Sequence, residues 1–172
     1  MNRRFFSEAG GALGAAALLQ ACGFKLRGTQ TFAFDTIAVE ASPAGAVTSD
    51  LRKALGNQLF VRSPAGTAGA AEPVAPVTMD ILQEVRERAV AGVNAAGQVR
   101  ELQLRIRVKF RLRNTRGKDL IEPTEILQQR DISFSESAVL AKEVEEALLY
   151  KNMQADIVQQ LLRRLAAVKS ID

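Results

Sequence analysis

Residues 104–113 read LRIRVKFRLR, an uninterrupted alternation of apolar and cationic side chains. No other stretch constrains the fold as tightly. In a β-strand, residues i, i+2 and i+4 share a face. Leu104, Ile106, Val108, Phe110 and Leu112 therefore form one face, and Arg105, Arg107, Lys109, Arg111 and Arg113 form the other. The apolar face requires a covering layer. Neighbouring bases on the other face stand roughly 7 Å apart, two strand residues, so each adjacent pair costs about 0.6 kcal/mol in water before screening. The four pairs of the row together cost roughly 2 kcal/mol. Acids on adjacent strands would offset this, as would an anionic partner, and periodicity leaves both open. Charge reversal along the row is expected to leave the fold intact.

The flanking sequence supplies the covering layer. Residues 32–41 (FAFDTIAVEA) read as a short strand with an irregularity near Asp35. Residues 48–60 follow as an amphipathic helix with Leu51, Leu55 and Leu59 at spacings of four and Thr48, Ser49 or Asp50 as N-cap candidates. The Pro- and Ala-rich segment 63–76 reads as a surface loop. In residues 77–93, Met79, Ile81 and Val85 share one phase and Asp80, Glu84, Arg86 and Arg88 the other, the pattern of a half-buried strand. Residues 94–98 form a turn, and NTRG at 114–117 a tight hairpin with Gly117 suited to the left-handed region. The returning strand covers about 118–134, with Pro123 marking a bulge or an edge. From Ser135 to about Ala167 the period becomes 3.6, with Leu140, Val144, Leu148, Ala155, Val158, Leu162 and Leu165 as an apolar stripe. The expected fold is α+β: a two-layer sandwich of order β-α-β-β-β-α, with a four-stranded, mostly antiparallel sheet and two helices on one face.

The N-terminus carries an address. MNRRFFSEAGGALGAAALLQAC has bases at Arg3 and Arg4, an apolar run from Ala9 to Leu19 too short to span a bilayer, and small or neutral residues up to Cys22. LQAC resembles the lipobox of bacterial lipoproteins. On that resemblance residues 1–21 are a signal peptide that is removed, and Cys22 is acylated. Several acyl chains together give a lasting anchor where one does not. RRFF fits an ordinary basic start or a twin-arginine export signal, and Gly23 in place of Asp points, by analogy with enteric lipoproteins, to the outer membrane. Residues 22–31 then form a tether, 32–168 a single domain and 169–172 a tail.

Composition narrows the function. The 172 residues carry a formal charge of +4 and include no His, no Trp and one Cys. Histidine-dependent triads, Cys/His metal sites and internal disulfides are thereby excluded. No Gly-rich loop or nucleophile motif appears, so no enzyme activity and no cofactor beyond the lipid on Cys22 are expected. A nucleic-acid module would interleave aromatics with its bases, whereas aromatics make up 5% of the chain and Phe110 lies on the apolar phase.

CGFKLRG at 22–28, GQVRELQLRIRVKFRLRNTRGKDL at 97–120, QQRDISFSES at 128–137 and VLAKEVEEALLYKNMQADIVQQLLRRL at 139–165 together resemble the LPS-assembly lipoprotein family LptE. The chain departs from the common pattern at Lys25, where His is frequent, and in the 63–76 loop. The resemblance implies a non-enzymatic lipoprotein on the periplasmic side of the outer membrane. It would plug the β-barrel LptD, help it assemble, and bind lipopolysaccharide on its way to the outer leaflet. The family's best-known lipid-contacting bases align with Ala95 and Leu127, which are not basic. Arg86 and Arg88 lie near the first, and Arg130 is matched on the returning strand. Contact with lipid A phosphates or with the barrel lumen is therefore expected from Arg86, Arg88, Arg105, Arg107, Lys109, Arg111, Arg113 and Arg130. A lipoprotein accessory to phospholipid transport, docking through the basic face, is the alternative.

Overall fold

The computed structural model describes residues 30–41, 44–62, 74–135 and 139–172. The signal peptide, Cys22, the tether up to residue 29 and most of the 63–76 loop lie outside the described residues. The alternating stretch lies within strand β4 (Val99–Asn114), where Leu104, Ile106, Val108, Phe110 and Leu112 are all buried and the intervening bases are not. Its neighbours are β3 (Val77–Val93) and β5 (Asp119–Ser133), both antiparallel to it. The two connecting turns are built alike. In NAAGQ and NTRGK the Asn side-chain oxygen accepts two backbone N–H groups, those of Ala96 and Gln98 in one turn and Arg116 and Lys118 in the other. Gly97 and Gly117 take φ of 76° and 81°, the left-handed region in which a Cβ is disfavoured. On β5, which lies at an edge of the sheet, Pro123 falls within the register irregularity opposite Phe110 and Leu112.

The sheet has five strands, not four, and it is mixed. Its order is β2-β1-β3-β4-β5, with β1 (Thr36–Ala41) parallel both to β3 and to the three-residue β2 (Phe60–Arg62). Sequence reading absorbed Phe60 into the preceding helix and left Val61 and Arg62 unassigned, because three residues are too few to show a period. That helix, α1, spans Ala46–Gly56, and its backbone cap is Gly45, so none of Thr48, Ser49 and Asp50 is the N-cap. The missing cap comes from β3. The Glu84 carboxylate accepts the Val47 N–H at 2.8 Å, the Thr48 N–H at 3.1 Å and the Thr48 hydroxyl at 2.8 Å. A carboxylate there also complements the positive end of the helix dipole.

Glu84 reaches α1 because β3 changes phase. Ile81 pairs with Phe110 but Gln83 pairs with Lys109, which leaves Leu82 as an extra residue in a β-bulge. Before the bulge Val77, Met79 and Ile81 face the helices. After it Glu84, Arg86 and Arg88 do, and Val85 moves to the opposite face with Arg107. The single phase expected across Met79, Ile81 and Val85 is thus broken at Leu82.

Helix α2 (Val139–Ala166) packs with α1 over the apolar side of the sheet. One core joins Ile37 and Val39 of β1, Leu51 and Leu55 of α1, the apolar side chains of β4, and Met153, Ile157, Leu161, Leu162 and Leu165 of α2. Past α2, Val168 and Ile171 fold back on this core, and the Asn114 amide donates to the Ile171 carbonyl at 3.1 Å.

Candidate functional site

The cationic row is met by acids on both neighbouring strands. The cross-strand register places Glu40, Asp80 and Glu87 on one side of it and Asp119, Glu125 and Asp131 on the other. Arg111 Nε donates to Asp80 Oδ2 at 2.7 Å, and Arg113 donates through Nη2 to Asp80 Oδ1 at 3.2 Å, with its Nε 2.9 Å from Oδ2. Arg113 also lies 3.7 Å from Glu40, and Arg107 Nε lies 3.5 Å from Glu125. Arg105 donates to the Gln103 side-chain oxygen, while the Gln103 amide donates to Asp131 at 2.9 Å. Lys109 is exposed and its side chain has no hydrogen bond or ion pair among the described residues.

Asp80 is the centre of this network, buried at the point where β1, β3 and β4 meet. Its hydrogen bond holds the Arg111 guanidinium above its ordinary pKa, the charges of Asp80 and Asp119 act the same way, and burial opposes them. Asp80→Asn preserves shape but leaves two adjacent guanidiniums without their shared counter-charge. The thermal midpoint is expected to fall, and to recover partly in high salt, which screens the pair. Reversing Arg107 and Arg111 to Glu would set one carboxylate diagonally beside Glu125 and another opposite Asp80. With these acids in place, charge reversal along the row is expected to cost stability rather than to leave it unchanged.

Arg86, Arg88 and Arg130 lie on the other side of the sheet from the row, beneath α2. The bulge puts the first two there, and the pairing of Arg130 with Leu104 puts the third there. Arg88 stands 3.6 Å and Arg86 4.0 Å from the Glu146 carboxylate, and Arg130 stands 3.5 Å from Asp156. The Arg86 guanidinium sits 3.5 Å above the centre of the Tyr150 ring, and the Tyr150 hydroxyl donates to the Glu87 carbonyl at 2.6 Å. The eight expected bases thus form two separate groups. Of the aligned non-basic positions, Ala95 is exposed in the β3–β4 turn, and Leu127 lies beside Arg107 on the far face.

Sequence reading missed one surface. Leu140, Val144 and Leu148, placed in the buried stripe, are 80%, 72% and 57% exposed. Glu146, Tyr150 and Met153 occupy the inward positions on this half of α2, because the sheet beneath presents Arg86 and Arg88 there. The three apolar side chains form a ridge, one per turn, on the outer side of the helix. Beside it a cleft of about 70 Å³, lined by Arg88, Leu102, Phe134, Val139, Lys142 and Glu146, opens between the helix and the ends of β4 and β5. The signal was present in the sequence, since Glu146, Tyr150, Met153 and Ile157 also keep helical spacing.

The LptE family model, described as lipopolysaccharide-assembly, matches residues 34–165, nearly the whole span from β1 to the end of α2. The chain belongs to the LptE family. Among solved structures, this LptE-family chain is similar to the uncharacterized lipoprotein B from Nitrosomonas europaea, solved by NMR. The two share 31% identity over 84% of this chain and 90% of that one, with a TM-score of 0.67. The rare lipoprotein B from Shewanella oneidensis shares the fold at 22% identity and a TM-score of 0.60, over 77% of this chain and 94% of that one. The minor lipoprotein from Acinetobacter baumannii does so at 16% and 0.58, over 80% and 94%. Comparison with curated protein sequences gave no match. Family membership assigns this LptE-family chain to lipopolysaccharide assembly, the role of a non-enzymatic lipoprotein family of the outer membrane, in preference to phospholipid transport.

Proposed function

We propose that this chain is the lipoprotein subunit that docks inside the β-barrel LptD and contacts lipopolysaccharide during its delivery to the outer leaflet, held at the outer membrane by acyl chains on Cys22. The observation that supports docking is the exposed ridge of Leu140, Val144 and Leu148. Single exposed apolar side chains are ordinary on a soluble surface, but three on successive turns of one helix form the surface of a helix that meets a partner. Covering them would stabilise a complex by about 1.5 kcal/mol each.

The basic row contributes at its upper half. Arg111 and Arg113 are committed to Asp80, whereas Arg105 is held by a neutral amide, Arg107 by one half-exposed carboxylate, and Lys109 by no partner among the described residues. Phosphate oxygens could take these three without breaking the Asp80 network, through charge-assisted bonds of roughly 1.5–3 kcal/mol each.

Two variants of the full-length protein separate the two contacts. Leu140→Glu, Val144→Glu and Leu148→Glu together should leave the domain folded and abolish co-purification with LptD from solubilised outer membranes. Arg105→Gln with Lys109→Gln should keep co-purification and weaken binding to purified lipopolysaccharide several-fold. A ridge variant that still brings down the barrel would place the docking surface elsewhere. Unchanged lipopolysaccharide binding in the second variant would remove the row from the reading.

A further inference from the structure

The end of the domain opposite the α2 ridge has a charge pattern of its own. Three chain features converge there. The β4–β5 turn carries Arg116 and Lys118, both exposed. The segment after α2 returns to this turn, with Asn114 bonded to the Ile171 carbonyl and Lys118 Nζ 2.9 Å from the backbone oxygen of Asp172. The start of the described chain is also here. Gln30 N–H donates to the side chain of Gln58, Asp35 accepts the Phe60 N–H, and β1 then enters the sheet level with the first residues of β3, which pair with the end of β4.

Lys118, Arg164 and Lys169 line one open cleft of about 520 Å³ at this end, together with Asp119 and Asp172. Arg164 lies over the buried Phe110 ring at 5.7 Å, and neither it nor Arg116 nor Lys169 has an ion pair among the described residues. The contrast with the basic row is direct. There, acids on both neighbouring strands meet the bases, whereas in this cleft Lys118, Arg164 and Lys169 share Asp119 and Asp172, the first of which also faces Arg111.

The chain leading away from Gln30 sets the distance to the anchor. Cys22 precedes Gln30 by eight residues, which span at most about 29 Å when fully extended. Those residues include Lys25 and Arg27 and no acid. An acylated Cys22 would therefore keep this end of the domain, rather than the ridge end, next to the bilayer. No helix among the described residues is long and apolar enough to cross it.

We propose that this end is a membrane-contact surface, in which Arg116, Lys118, Arg164 and Lys169 bind the headgroups of anionic phospholipids and hold the long axis of the domain upright on its tether. The proposal rests on the reading that Cys22 is acylated. A single lipid attachment allows the domain to swing freely, and a basic surface beside it is the second contact that fixes orientation on an anionic leaflet.

The test uses the full lipidated chain with an environment-sensitive fluorophore on Thr115→Cys, in the β4–β5 turn, or on Ala95→Cys, in the distal turn. Vesicles are of phosphatidylcholine alone or with phosphatidylglycerol. The Thr115→Cys probe should shift to the blue and brighten several-fold on the anionic vesicles only, and lose that response near 1 M salt, where the screening length is about 3 Å. Arg116→Glu, Lys118→Glu and Lys169→Glu, made together at exposed positions, should remove the response without altering the unfolding midpoint, while the Ala95→Cys probe stays unresponsive throughout. Sedimentation with neutral vesicles reads the anchor separately. A chain that does not sediment with them yet gives the Thr115→Cys shift on anionic vesicles would refute acylation and leave the surface standing. An anchored chain whose two probes respond alike to both lipids would overturn the surface, and so would a chain that neither sediments nor shifts.

Discussion

Leu162→Asp is expected to eliminate the cooperative unfolding transition, whereas Leu148→Asp, on the same helix, should leave it essentially unchanged. Leu162 is 3% exposed in the interface between α2 and the sheet, and Leu148 is 57% exposed. An unpaired carboxylate at the first position has no hydrogen-bonding partner and leaves the space of an apolar side chain badly filled. The loss should reach about 4 kcal/mol or more, out of a total stability of roughly 5–15 kcal/mol for a domain of this kind. At the second position the carboxylate remains in water. Thermal unfolding followed by circular dichroism distinguishes the two. Equal destabilisation would mean that the outer ridge is covered within the monomer, which would contradict the arrangement described above and remove the support for docking through it.

Glu84→Ala should lower stability by about 3 kcal/mol, measured from the urea midpoint at unchanged slope. The substitution removes three hydrogen bonds at the start of α1 and leaves the Thr48 hydroxyl, which is fully buried, without its acceptor. A lost N-cap costs about 1 kcal/mol and a buried unsatisfied polar group about 1–3 kcal/mol more. Glu84→Gln keeps the shape and an acceptor but not the charge, and should fall between the two. Gly45→Ala gives an independent check, because a Cβ at Gly45 would occupy the position of the Glu84 carboxylate. If that variant is neutral, the carboxylate is not held where the structure places it.

The two turns illustrate what can be read locally. NTRG announced its own geometry, since Gly at the fourth position and Asn at the first are residue types whose conformational preferences act within a few bonds. The buried face of β4 was equally legible, because an alternation without exceptions admits one register. The extra residue at Leu82 was not. Met79, Ile81 and Val85 keep a regular spacing, and only pairing with β4 shows that Val85 changes side. The consequence extends across the sheet, carrying Arg86 and Arg88 beneath α2 and separating them from the row they were expected to join.

The same distinction applies to charge. Alternation in LRIRVKFRLR established that five bases share a face, and family motifs in order along the chain established lipopolysaccharide assembly as the setting. Which acids meet those bases depends on strand order and register, and so on residues 18 to 73 positions away along the chain, such as Glu125 for Arg107, Asp80 for Arg111 and Glu40 for Arg113. Periodicity reports where side chains point on one element. It carries no information about what stands opposite, and for α2 this decided which of two helical stripes was buried: Tyr150 and Met153 pack inward against the sheet, while Leu140, Val144 and Leu148 remain outside because Arg86 and Arg88 draw Glu146 toward the sheet.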